Sequence, residues 1–362
     1  MINKILVTKS FLPPLEEYEV YLNKIWNSYY LTNQGPLLIK LESKLKKYLN
    51  IENFHFVTNG TLALQLAIKA LEISEGEIIT TPFSYVATTS AILWEKFKPV
   101  FVDIKADTFC IDADKIEAAI TKKTRAILAV HVFGIPCEVE KIEKIAKKHN
   151  LKVIYDGAHS FGVKYKNKSL LSYGDISMCS FHATKLFHTI EGGCVITKDK
   201  KINNKLDLMK RFGHNQDEHF MLGINAKASE FQAAMGLCNL KYIKKIIAER
   251  KKISGWYDSY FGNKVLKLKV DKNTKYNYAY YPVVLNNENQ ILKIISVLNE
   301  NNIYPRRYFY PSLNNLPYLK KRVSCPVSED ISSRILCVPL YVGLERKVVE
   351  KICKIFKSNY VI

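Results

Sequence analysis

The chain has 362 residues, 48% of them hydrophobic, a length too great for one small core and suited to a large domain joined to a smaller one. Its formal net charge is +20, but all except eight of the 54 basic residues are Lys, spread over helical faces beside Glu, as at 141–148. That pattern is solvated surface rather than a nucleic-acid footprint and leaves only the steering of an anionic small substrate, while the lack of any run near about 18 apolar residues excludes a membrane span and predicts a cytoplasmic protein.

In chain order, short apolar runs read as strands at 54–57, 77–81, 99–103, 125–130, 152–155, 176–180 and 194–197. Between them, helical periodicity appears at 61–71, 87–94, 113–120, 138–149 and 203–211. This alternation predicts crossover connections and a seven-stranded, mostly parallel sheet. Residues 229–260 keep apolar positions at helical spacing over a span too long for one compact helix and are expected to lead out of the sheet. The remainder offers a strand at 277–285 and helices around 290–300 and 346–356, a smaller α+β domain. The expected division is 1–247 and 248–362.

The eight cysteines (110, 137, 179, 194, 238, 325, 337, 353) form no Cys-x-x-Cys and join no His cluster at zinc spacing. They read as reduced, mostly buried thiols, and no metal site is expected.

Asp156 closes the strand-like run Val-Ile-Tyr-Asp, and functional groups gather at the carboxyl ends of strands in open α/β sheets. Lys185 follows another strand by five residues, in Ser180-Phe-His-Ala-Thr-Lys, just before Glu191-Gly-Gly. An aspartate that keeps a pyridine nitrogen protonated and a lysine that forms a Schiff base are the two groups pyridoxal phosphate asks of its protein. Desolvation in such a place lowers the lysine pKa and makes neutral amine available. Asn59-Gly60-Thr61 opens a helix directly after a strand, where free N–H groups and the helix dipole favour phosphate. Ser180 can add a hydroxyl, and Tyr85 can stack on a ring. Each residue has a plainer reading when taken alone. Asp156 can begin a turn, Asn-Gly-Thr can be an ordinary cap, Tyr85 can be a core aromatic, and His159 and His182 can be structural. Ser180, His182 and Asp156 could suggest a hydrolase triad, but no Gly-x-Ser-x-Gly elbow supports it.

With those residues in place, the chain resembles the DegT/DnrJ/EryC1/StrS nucleotide-sugar aminotransferases, an aspartate-aminotransferase-like fold-type I group, over nearly its whole length. The matching blocks are Tyr-Leu-Thr-Asn-Gln-Gly-Pro at 30–36, Asn-Gly-Thr-Leu-Ala-Leu at 59–64, Pro-Phe-Ser-Tyr-Val-Ala-Thr at 82–88, Val-His-Val-Phe-Gly at 130–134, Asp-Gly-Ala-His at 156–159, Ser-Phe-His-Ala-Thr-Lys at 180–185, Glu-Gly-Gly at 191–193 and residues 223–234. The resemblance implies that Lys185 carries pyridoxal phosphate covalently and Asp156 binds its ring nitrogen. It implies that Gly60, Thr61 and Ser180 hold the phosphate, that Tyr85 stacks on the ring with His159 beside it, and that Asn225 reaches the phosphate from a partner subunit. A homodimer with shared active sites is then expected. Two positions depart from the family pattern: Asn225-Ala-Lys227 stands where Asn-Tyr-Arg is usual, and His159 where Gln is frequent.

Residues 10–18 and the run Pro305-Arg-Arg-Tyr-Phe-Tyr-Pro311 look most like the branch containing dTDP-4-amino-4,6-dideoxyglucose transaminases. The implied reaction moves an amino group from L-glutamate, through the pyridoxamine phosphate form, to a nucleotide-linked keto-6-deoxy sugar for surface polysaccharide. Amination at the 3-position is the alternative. His182, Lys227, Arg306, Arg307, Tyr308 and Tyr310 are candidate substrate contacts, since Arg can grip phosphate with two hydrogen bonds. Sugar 3-dehydratases on the same fold replace the aldimine lysine with histidine, so Lys185 argues against them. A non-enzymatic pyridoxal-binding regulator is the remaining rival.

Overall fold

The computed structural model describes residues 4–359 apart from 263, 264, 267, 320 and 321. Its centre is a seven-stranded sheet built from β1 (Asn53–Val57), β2 (Glu77–Thr80), β3 (Lys98–Phe101), β4 (Thr124–Val130), β5 (Lys152–Asp156), β6 (Ile176–Ser180) and β7 (Gly193–Thr197), in the spatial order β1-β7-β6-β5-β4-β2-β3. All are parallel except β7, which runs antiparallel to both neighbours. The strands fall where the apolar runs place them, with ends moved by a residue or two.

Alternation along the strands sends side chains to opposite faces. Ile127, Ala129, Val153 and Tyr155 pack with Val139, Ile142 and Ile145 of α5 (Val139–Lys148). Ala126, Leu128, Ile154 and Met178 face the other way, toward α3 (Gly60–Ala70), α4 (Ala87–Trp94) and α6 (Lys200–Met209). A third apolar cluster joins β1 and β7 to α1 (Leu15–Ser28) and α2 (Pro36–Leu49). All eight cysteines are buried and unbridged.

Two expectations need correction. Residues 113–120 do not form an α-helix but two 3₁₀ turns, Ala113–Lys115 and Glu117–Ala119. Only Ala113 and Ile116 of this stretch are fully buried, so little packing offsets the cost of nucleating a helix. Conversely, Glu230–Phe261 is a single helix, α7, of 32 residues, roughly 48 Å at 1.5 Å per residue. Its start is fixed by a capping box between Ser229 and Gln232. The apolar stripe is long because it serves two cores in succession: Ala233 to Ile246 pack under the large sheet, whereas Ile253, Tyr257 and Phe261 pack with a second cluster.

That second cluster is closed by β8 (Tyr281–Val284) paired antiparallel with β9 (Ile335–Val338), and by α8 (Glu288–Glu300) and α10 (Arg346–Asn359), whereas α9 (Pro326–Arg334) puts its buried Ile331 in the first core. Ile5–Leu6 runs parallel to Ile303–Tyr304 and Ile5 packs against the second cluster, whereas Val7 enters the first core. Among the described residues, no helix is long and apolar enough to cross a membrane.

Candidate active site

At the carboxyl ends of β4, β5 and β6 lies a cavity of about 710 Å³. Its floor is Val130, Asp156, Met178 and Ser180, its sides are the start of α3 and the loop carrying Ser84 and Tyr85, and its mouth holds His182, Glu191 and Arg306. Tyr280, Tyr308 and Phe309, which pack with Phe133 in the first core, line the remaining wall.

Asp156 is the last residue of β5 and is buried. Its Oδ1 accepts the Ala158 N–H at 3.0 Å and its Oδ2 accepts the Thr88 hydroxyl at 2.8 Å. Burial pushes its pKa up, and these two donors together with the nearby Lys185 ammonium oppose that push. Lys185 lines the same cavity; desolvation lowers its pKa, while Asp156 and the Tyr308 phenol act in the other direction. The two groups therefore share one low-dielectric space and influence each other's charge.

His159 lines the wall and is buried, so its pKa is pushed well down. The Phe133 N–H donates to its Nδ1 at 3.1 Å, which puts the ring proton of the neutral imidazole on Nε2. Phe133 and Phe309 stack at 6.0 and 5.9 Å from the ring and hold its plane.

At the start of α3, Asn59 Oδ1 accepts the Leu62 N–H at 2.9 Å, and the Asn59 carbonyl accepts that of Ala63. Among the described residues the N–H groups of Gly60 and Thr61 have no such partner, and they form the positive end of the helix dipole. A Cβ on Gly60 would stand 3.0 Å from Ser180 Cβ and 3.2 Å from Ser180 Oγ, so a side chain there would crowd the gap between helix and β6. Two free N–H groups, two hydroxyls and no side chain at Gly60 fit a phosphate group, with an acid and an amine set deeper for the ring. The residues present thus fit pyridoxal phosphate.

Tyr85 stands at the wall with 61% of its surface exposed, an open aromatic face rather than a core residue. His182 is half-buried, with Nδ1 2.8 Å from Thr184 Oγ1 and Nε2 3.5 Å from Glu191. Of the adjacent arginines only Arg306 lines the cavity, and its guanidinium has no ion-pair partner among the described residues. Arg307 turns away: it donates to Glu288 and to the Ser333 carbonyl, both at 2.7 Å, and lies over the Tyr310 ring at 3.4 Å. Arg307 and Tyr310 are thus committed to each other and to α8 and α9, outside the cavity wall, whereas Tyr308 is inside it. Asn225 and Lys227 are also outside the wall formed by their own chain. Asn225 bridges to Arg211, and Lys227 sits over the Phe212 ring. Thr88, Ser84, Tyr280 and Phe309 are site residues that sequence reasoning passed over; nothing distinguishes their types, and only Thr88's place in the first turn after Tyr85 is a signal.

Residues 15–357 match the DegT/DnrJ/EryC1/StrS aminotransferase family. The chain belongs to that family. It is 40% identical to a dTDP-4-amino-4,6-dideoxy-D-glucose transaminase of Escherichia coli over 96% of this chain and 97% of that one. It is 33% identical to a GDP-perosamine synthase of Escherichia coli O157:H7, over 94% of each. The solved structure of DesI with its TDP-sugar product superposes with a TM-score of 0.93 at 27% identity, covering 99% of this chain and 93% of that one. The chain is accordingly a fold-type I, pyridoxal phosphate-dependent nucleotide-sugar aminotransferase.

Proposed function

We propose that the protein transfers the amino group of L-glutamate to dTDP-4-keto-6-deoxyglucose, giving dTDP-4-amino-4,6-dideoxyglucose for a surface polysaccharide. The observation that carries the sugar is the 40% identity, over nearly the full length of both chains, to the Escherichia coli enzyme named for that product.

Bound pyridoxal phosphate supplies an electron-accepting ring that lets a proton leave the carbon bearing the amine. Asp156, ionised, keeps a proton on the ring nitrogen. Lys185, held toward its neutral form by burial, would hold the cofactor at Nζ and, once displaced by the incoming amine, would take up and return the substrate proton with that same amine. Gly60, Thr61 and Ser180 would bind the phosphate through N–H and hydroxyl donors, Tyr85 would offer its open aromatic face to the ring, and His159 its Nε2 proton. Arg306, a cation at the mouth without an ion-pair partner among the described residues, takes the nucleotide diphosphate, with His182 and Tyr308 beside it. Closure of Tyr280, Tyr308 and Phe309 over the floor excludes water.

The working unit in this proposal is a homodimer. Phe212, Phe220, Leu222 and Ile224 are exposed on the arm formed around the 214–219 hairpin, a cluster of apolar side chains of the kind that marks a protein contact. The arm would carry Asn225 and Lys227 to the partner's cavity. Each chain would act as two domains divided within α7, near residue 247, with the first described residues joining the second.

The purified protein with pyridoxal phosphate is expected to show a visible absorbance band, and Lys185→Ala to lose both the band and turnover. With glutamate, dTDP-4-keto-6-deoxyglucose should yield the 4-amino sugar and its 3-keto isomer should not; product from the isomer alone would move the assignment to the 3-position.

A further inference from the structure

The carboxylate of Asp156 is held by two different parts of the fold. Ala158, two residues along the chain, serves Oδ1, while Oδ2 is served by Thr88 from α4, 68 residues away in sequence. Thr88 is fully buried, and its Oγ1 lies 2.8 Å from the hydroxyl of Ser84, also buried. An ionised carboxylate only accepts, so the single Thr88 proton is committed to Asp156 and Ser84 must donate to Thr88. The result is a one-way chain, Ser84 to Thr88 to Asp156. α4 has no side-chain cap on its free N–H groups, so the Thr88 hydroxyl in its first turn serves Asp156 instead of the helix.

We propose that Thr88, steadied by Ser84, is a positioning residue that holds Asp156 ionised and in one orientation toward the ring nitrogen of the bound cofactor. This rests on the assignment of Asp156 made above. Burial alone drives Asp156 toward the neutral acid, which could not keep the ring nitrogen protonated. The titratable groups that bear on it are Lys185 in the cavity and the buried Cys179 thiol of β6, with the neutral His159 and the Tyr308 phenol along the same wall. None of these donates a hydrogen bond to Oδ2. Without the Thr88 hydroxyl that oxygen loses its donor among the described residues, and the carboxylate is both easier to protonate and freer to rotate.

The test is Thr88→Val, close in shape but without the hydroxyl, with the visible band of the cofactor-loaded protein titrated against pH. A weaker hold on the ring proton removes positive charge from the ring and would make the Lys185 Nζ that holds the cofactor more basic. The band midpoint should therefore move to higher pH by about half a unit or more, and the dissociation constant for pyridoxal phosphate should rise roughly tenfold. Thr88→Ser, which restores the hydroxyl, should recover both values, and Ser84→Ala should shift the midpoint the same way by less. An unchanged midpoint in Thr88→Val, or the same shift in Thr88→Ser, overturns the proposal. If Thr88→Val does not fold, Ser84→Ala decides: an upward shift supports the chain and an unchanged midpoint refutes it. A parent protein that shows no band fails earlier, on the cofactor assignment itself, and takes this inference with it.

Discussion

Arg306 and Arg307 show how one residue step changes a side chain's task. Arg306 sits on an extended segment whose backbone bonds to Cys337 in both directions, and successive side chains of such a segment point to opposite sides. One guanidinium therefore faces the cavity and the next is tied to Glu288 and the end of α9. Arg306→Ala is expected to raise KM for the nucleotide sugar about 10- to 100-fold, the value of a charge-assisted hydrogen bond, with a smaller effect on kcat. Arg307→Ala should leave that KM within about threefold of the parent, because its partly exposed ion pair contributes to local stability rather than to the cavity. Equal effects in steady-state kinetics would refute the division of labour.

At the scale of elements, the strand ends and the α3 terminus were legible because their signals are local. Asn59 precedes an apolar-periodic run, and the helix begins after it. Thr88 carried no comparable signal, since its hydroxyl matters only through a strand 68 residues on. The packing of β1 against α6 has a pH consequence of its own. His55 of β1 is buried with its ring 2.9 Å from Asn203 Oδ1, and burial, assisted by the Lys210 cation, lowers its pKa to about 4. Below pH 6.5 the unfolded chain takes up a proton there that the folded chain refuses until about pH 4. Folding stability should accordingly fall as pH drops through that window, by roughly 3 kcal/mol from this group, and stop falling on its account below it. Urea unfolding at pH 7 and pH 4.5 should show a smaller loss for His55→Gln than for the parent; an equal loss would remove His55 as the cause.

For the whole molecule, the arm at 212–224 makes the assembly testable. Leu222 has 77% of its surface exposed, and Leu222→Asp should shift the protein from dimer toward monomer in sedimentation velocity if the arm is buried in the interface. Mixing Lys185→Ala with Asn225→Ala after dissociation should restore activity absent from either alone, because a mixed dimer regains one intact site when Asn225 serves the partner. No restoration would mean that each chain completes its own site.

The alternation of apolar runs was sufficient for the sheet, Asp156, Lys185 and the Asn-Gly-Thr turn together pointed to the cofactor, and the reaction class followed from the resemblance of eight ordered blocks to a known family. Each is a short-range pattern in which strand period, helix cap and turn chemistry agree. What needed the folded chain was every relation between distant residues: that α7 runs unbroken through two cores, that 113–120 has too few buried side chains for a helix, that Arg306 and not Arg307 meets the cavity, and that Thr88 holds Asp156. Hydrogen bonds and burial depend on which surfaces meet in space, and a linear chain of common residue types carries no local trace of that meeting.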